Sequence, residues 1–127
     1  MTIGTVGTTS PESDGNSVTI GPLSASVVKG QVAYANAWLG LADRSMDSGE
    51  YVALSLRGEY QFNVPSGLSV SAGDIVCVDT TQVTGHTPDS AAYNTNAVSA
   101  TNLALFKATA DKDDNDVVTG ILLVLNS

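Results

Sequence analysis

Asp111, Asp113, Asp114, Asn115 and Asp116 crowd the stretch DKDDND, and oxygen ligands at alternate positions are how an EF-hand calcium loop begins. The pattern then breaks off. Its sixth position is Asp116, where the sharp turn demands glycine, and its twelfth is Leu122, where a bidentate Glu belongs. The expectation is a solvated acidic turn, with a weak cation site at 111–116 as the alternative. His86 is the sole histidine, between Gly85 and Thr87, so a multi-histidine metal site is excluded and a Ser-His-Asp relay has one candidate base. No G-x-S-x-G elbow accompanies it, and a surface loop is the simpler reading. Asp74, Asp79 and Glu50 stand where turns want polar residues, although a glycosidase-like acid pair is formally available among 13 acids. Gly4, Gly7, Gly15 and Gly21 lack the GK[ST] ending and the following helix of a phosphate-cradling loop. Cys77 stands alone within IVCV, which excludes an intramolecular disulfide and suggests a small buried hydrophobe. The residues that could do chemistry thus imply no catalyst and no cofactor.

The bulk composition narrows the partners. The chain has 127 residues, 43% hydrophobic and only 14% charged, with a formal net charge of −8. That is the size of one domain with a modest core and a surface rich in Ser, Thr, Asn and Gly. The five basic residues, Lys29, Arg44, Arg57, Lys107 and Lys112, are scattered. Nucleic-acid affinity needs clustered cations to neutralise phosphates, so neither DNA, RNA nor an anionic membrane is an expected partner. Residues 1–15 show neither the basic nor the apolar region of a secretory signal. The longest apolar run, Val117–Leu125, is far short of the ~20 residues of a spanning helix. The expectation is a soluble protein made in the cytosol.

The elements that must position these residues are strands. Val52, Leu54 and Leu56 alternate with more polar neighbours, as do Tyr60, Phe62 and Val64 after a turn at Gly58–Glu59. Pro65–Ser66–Gly67 stops the second run. Ala72–Gly73–Asp74 turns the chain into Ile75–Val78, apolar on both faces and so expected to be central. Ser17–Ile20 reads as a first strand, and Ser24–Val28 with Gln31–Ala37 as a hairpin across Lys29–Gly30. Leu103–Ala108 is a further strand, and Val117–Leu125 closes the fold, bent or bulged at Gly120. The connection 80–102 is long and polar, the mark of a binding or mobile loop, with a weakly signalled helix at 91–100. The fold class is all-β, a small barrel or sandwich of about seven or eight short strands. Domain organisation reads as an arm over 1–16 and a single β domain over 17–127. The arm is too polar to offset its own ordering entropy, so it is either a frayed terminus or a segment that orders on a partner. Trp38, in the apolar knot WLGLA, is a core anchor or an interface residue.

One resemblance ties these pieces together. Gly40–Leu41–Ala42 precedes an acidic turn, then come Ser48–Gly49–Glu50–Tyr51–Val52, Arg57–Gly58, and Ser71–Ala72–Gly73–Asp74 with Ile75–Val76. A Val-rich last strand ends in Leu123–Val124–Leu125. In this succession the segment from about Lys29 to Leu125 resembles the capsid cement, or head decoration, proteins of tailed bacteriophages. Glu59 stands where the family usually has a small or aliphatic residue, and the loop 80–102 is longer than expected. The resemblance implies a non-enzymatic homotrimer. Such a protein is made in the host cytoplasm, binds the major capsid protein on the outside of the expanded head at capsomer junctions, and stabilises the shell against DNA pressure. It implies capsid contacts through Thr2, Ile3, Thr5, Val6 and Thr8 of the arm, and oligomer or core anchoring by Trp38, Tyr60 and Phe62. The alternative is a carbohydrate-binding or adhesion module on a virion surface, stacking sugars on Trp38, Tyr51, Tyr60 or Tyr93. A small hydrolase centred on His86 or an acid pair ranks last.

Overall fold

The structure, a computed structural model, describes residues 17–123. Its architecture is all-β, an open sandwich of two antiparallel sheets with a small satellite hairpin, and no sheet closes into a barrel. The four-stranded sheet runs β1 (Ser17–Ile20), β4 (Val52–Ser55), β3 (Trp38–Ala42), β2 (Val32–Ala35). The five-stranded sheet runs β5 (Glu59–Asn63), β11 (Val117–Leu122), β10 (Asn102–Ala108), β6 (Ile75–Asp79), β9 (Tyr93–Asn94). The satellite pairs β7 (Val83–Thr84) with β8 (Thr87–Pro88). Eight of the eleven described strands have four or more residues.

The alternation of β4 sorts as its sequence demands. Val52, Leu54 and Leu56 are buried, and Ala53 and Ser55 are only half-buried. In the next strand Phe62 and Val64 go inward, while Tyr60 sits at the rim, 37% exposed. Leu39 and Leu41 of β3 then meet Val76, Val78, Leu105, Phe106 and Val118 across the gap between the sheets. The rings of Phe62 and Phe106 lie nearly parallel with centroids 4.0 Å apart.

A second, smaller core lies on the opposite face of the four-stranded sheet. Ala33, Ala35, Ala42 and Leu54 are covered there by Leu23 and Val27 from the segment preceding β2. That segment is not the first arm of a hairpin, as the run Ser24–Val28 suggests. Its only ladder contact is an isolated bridge from Val27 to Met46, and the hairpin is formed by β2 and β3 instead. The turn between them, Asn36–Ala37, has φ of 51° and 67°, the backbone hand that matches strand twist in a two-residue hairpin.

Ile75–Asp79 is an interior strand, as its two-sided apolarity suggests, lying between β10 and the two-residue β9. Two further expectations are corrected. Gly120 makes no bulge, since β11 pairs through it in register with Tyr60 and Ala108. The register shift lies in β10, between Ala104 and Phe106. Glycine is needed at 120 because the Phe106 ring occupies the space where a Cβ would stand, with the Lys107 carbonyl oxygen a further 2.9 Å obstacle. Finally, 91–100 is not helical. The connection is ordered by single 3-10 turns at Thr80–Gln82 and Ser90–Ala92, by the satellite hairpin and by β9. The side-chain amides of Asn94 and Asn102 bond each other reciprocally at 2.8 and 2.9 Å and close its last part.

Candidate functional site

A groove of about 420 Å³ opens where the two sheets part. Val32, Leu41 and Phe62 form its apolar part, and Tyr60 and Tyr93 stand in its wall. Lys29 and Asp43, one charge of each sign, are in the lining, with the amides of Gln31, Gln61 and Asn63. Because Tyr93 belongs to β9, both edges of the five-stranded sheet border this one groove. Burial pushes the Tyr93 phenol above its ordinary value, since the phenolate would lose solvation there.

Along that groove β5 is an open edge. Its backbone is paired to β11 on one side, and among the described residues no backbone hydrogen bond reaches its other side. It carries no Pro, no Lys and no bulge, the usual devices against added strands. The matching edge of the other sheet is protected. There the Tyr34 N–H of β2 donates to the His86 carbonyl oxygen at 2.8 Å, so the satellite hairpin covers β2.

The residues singled out for chemistry have structural employment. His86 is a clasp: its Nε2 lies 3.0 Å from the Ser24 N–H and 3.2 Å from the Ser24 Oγ, and its Nδ1 lies 3.2 Å from the Tyr34 carbonyl oxygen. With Nε2 accepting from the Ser24 amide, the hydrogen belongs on Nδ1, donated to Tyr34. In the acidic turn, Asp111 Oδ1 accepts from the Ala72 N–H at 2.8 Å, and Asp113 Oδ1 from the N–H groups of Asn115 and Val117 at 2.8 and 2.9 Å. Asp116 pairs with Lys112 at 3.2 Å, while the Lys112 Nζ donates to the carbonyl oxygens of Ser66 and Leu68 at 3.0 and 2.6 Å. Among the described residues, no three His, Cys, Asp or Glu side chains are placed to hold a metal ion.

Glu50 accepts from the Asp47 N–H at 2.8 Å, and Asp74 from the Ser71 N–H at 2.9 Å. Asp79 accepts from the Thr81 hydroxyl at 2.7 Å and the Thr81 N–H at 3.0 Å, and these bonds hold its carboxyl below the usual range. Cys77 is fully buried, its Sγ 3.5 Å from the Asn96 carbonyl oxygen, and burial pushes its thiol up. Such a thiol is a poor nucleophile.

The aromatic residues do not converge. Phe62 is a core residue, and Tyr60 meets it edge-on at 6.2 Å with its hydroxyl donating to the Arg57 carbonyl oxygen at 3.2 Å. Trp38, at 39% exposure, and Tyr51, at 59%, lie outside the groove that Tyr60 and Tyr93 line. Thr2, Ile3, Thr5, Val6 and Thr8 lie outside the described residues. Reasoning from sequence missed the groove and the open β5 edge. The signal was there in EYQFN, a short strand without any edge-protecting residue besides Glu59, but which strand ends a sheet is a property of topology. No helix among the described residues is long and apolar enough to cross a membrane.

No curated protein and no solved structure matches the chain. A family model described as phage cement protein matches residues 12–122. That match takes in both sheets, the groove between them and the acidic turn, and the chain belongs to the phage cement protein family.

Proposed function

We propose that the protein attaches, as a homotrimer, to the outside of the expanded phage head at capsomer junctions and stabilises the shell against the pressure of packaged DNA. The observation that carries this reading is the family match over residues 12–122. The structure supports it in kind: a sandwich in which Glu50, Asp74, Asp111 and His86 are engaged in turns and clasps is suited to holding partners in place. A ligand that binds only the expanded lattice stabilises that lattice by mass action, by ~4 kcal/mol per site at a thousandfold excess over Kd. Repetition over a symmetric shell multiplies the effect. Selectivity for the mature head arises because the receiving surface is assembled only by expansion.

In this reading the arm residues Thr2, Ile3, Thr5, Val6 and Thr8 grip the major capsid protein. The part-exposed Trp38 and Tyr60 are available for contacts between copies. The protein acts by binding alone, in the assembled virion, after synthesis in the host cytoplasm. Deletion of residues 2–16 should abolish attachment to expanded shells while leaving the fold intact, as read by circular dichroism. Undiminished attachment by the truncated protein would remove the arm from the account.

A further inference from the structure

We propose that the outer face of the five-stranded sheet is a contact between two copies of this chain, packed face to face about a two-fold axis that runs along the strands beneath Ile121. This goes beyond the attachment reading and stands whether or not either copy sits on a shell.

The face is defined by one row of residues that crosses four strands. Glu59 of β5 is paired with Ile121 of β11, Ile121 with Lys107 of β10, and Lys107 with Ile75 of β6. Directly paired residues share one side of a sheet. Here it is the side away from the other sheet, because the inward places in the neighbouring rows belong to Phe62, Val118, Phe106 and Val76. All four members of the row are exposed, Ile121 at 46% and Ile75 at 40%. A single exposed isoleucine is ordinary. Two in one row, set on either side of a lysine with a glutamate at the end, form a stripe in which charged and apolar places alternate.

Charge selects the occupant. With a net charge of −8, the chain as a whole repels a second copy of itself. This face does not, because Glu59 and Lys107 cancel and the other residues on this side of β5 and β11, Gln61, Asn63, Val117 and Thr119, are uncharged. Glu59 and Lys107 stand two strands apart, about 10 Å at the usual strand spacing, which is too far for an ion pair within one chain. Among the described residues neither joins an ion pair.

Two-fold symmetry then fixes the register. With the axis beneath Ile121, the Ile121 side chains of the two copies meet, and Glu59 of each copy faces Lys107 of the other. An axis beneath Lys107 would instead oppose two lysines. One midway between Ile121 and Lys107 would press Glu59 onto Ile75 and Lys107 onto Ile121, leaving each charge covered and without a partner. Like charges in opposition and unpaired covered charges both oppose association, so the first register is favoured.

The test is sedimentation velocity of the full chain at concentrations up to about 1 mM. It compares the parent protein with Ile121→Asp, Glu59→Lys and Lys107→Glu, and with an equimolar mixture of the last two. All three positions are exposed, and circular dichroism should report an unchanged fold. The parent should show a concentration-dependent doubling step, and each variant alone should weaken it about tenfold or more. The mixture should restore it, because a copy with lysine at both positions meets a copy with glutamate at both in the same register. Absence of the step in the parent, or a step that any one of the three variants leaves unchanged, would overturn the proposal. Failure of the mixture to restore it would overturn the proposal too. A homotrimer held by another surface keeps its size in every variant, and shell attachment plays no part in the readout, so failure here and failure of the cement reading are separable.

Discussion

The two cores of this protein are built differently. Between the sheets, paired strands supply Phe62, Phe106, Leu105, Val76, Val78 and Val118, with the alternation interrupted only at the β10 register shift, where Leu105 and Phe106 are both buried. On the far face of the four-stranded sheet, Ile20, Val52 and Leu54 stand beside the small Ala33, Ala35 and Ala42, and an irregular strap supplies Leu23 and Val27 as cover. The strap is held by backbone bonds at its ends: the Leu23 N–H to the Glu50 carbonyl oxygen at 2.8 Å, the Gly49 N–H to that of Leu23 at 2.7 Å, and a reciprocal pair between Val27 and Met46. The first core depends on side-chain volume. The second depends on loop backbone being pinned, and it is expected to open first.

Substitutions can break that contrast. Phe106→Ala removes the ring that stacks on Phe62 and fills the space over Gly120, and it should cost about 3–5 kcal/mol, read as a lowered urea midpoint. Leu23→Ala should cost about 2 kcal/mol, at the low end for such a deletion, because the strap can settle onto the small alanines beneath. A loss equal to that of Phe106→Ala would erase the distinction between the cores. His86→Ala removes the imidazole bonds to Ser24 and to the Tyr34 carbonyl oxygen while the main-chain bond from Tyr34 to residue 86 remains, and it should cost about 1–2 kcal/mol, with faster exchange at the Ser24 amide before any change in the intersheet core. Ala37→Gly works in the opposite direction. It relieves a left-handed alanine in the β2–β3 turn and should stabilise by about 0.5–1 kcal/mol, seen as a raised Tm.

The smallest effect concerns acid. The depressed carboxyl of Asp79 contributes stability that is present above its unfolded-state value of about 4 and lost as pH falls through its lower folded-state value. Being exposed, it contributes little. Asp79→Asn should therefore show a slightly smaller fall in Tm below about pH 4 than the parent protein.

How much was legible follows the same division. Val52, Leu54 and Leu56, or Phe62 and Val64, announce buried strand faces because their alternation is local and period-2. The turn at Ala72–Gly73–Asp74 is equally plain: Gly73 has φ of 90° and Asp74 bonds back to Ser71. The strap was read as a strand because Ser24–Val28 has strand-like composition, and nothing in it reveals that only Val27 finds a ladder partner. Gly120 reads as a bend or bulge from sequence because a glycine in a strand has more than one common cause. The true one, the Phe106 ring on the neighbouring strand, is fourteen positions away in sequence. At the site, His86 and the acids were legible as polar turn residues. Their partners, such as Ser24 for His86 and Ala72 for Asp111, were not, because side-chain bonds across 62 and 39 positions leave no local trace. The open edge of β5 was hidden for the same reason.

Under the proposed function this sandwich grips the matured phage shell and not its precursor. Co-sedimentation of the purified protein with expanded and with unexpanded capsids of its phage addresses it most directly. Saturable pelleting with expanded shells alone is the expected result. Equal pelleting with both forms, or none with the expanded one, would contradict it.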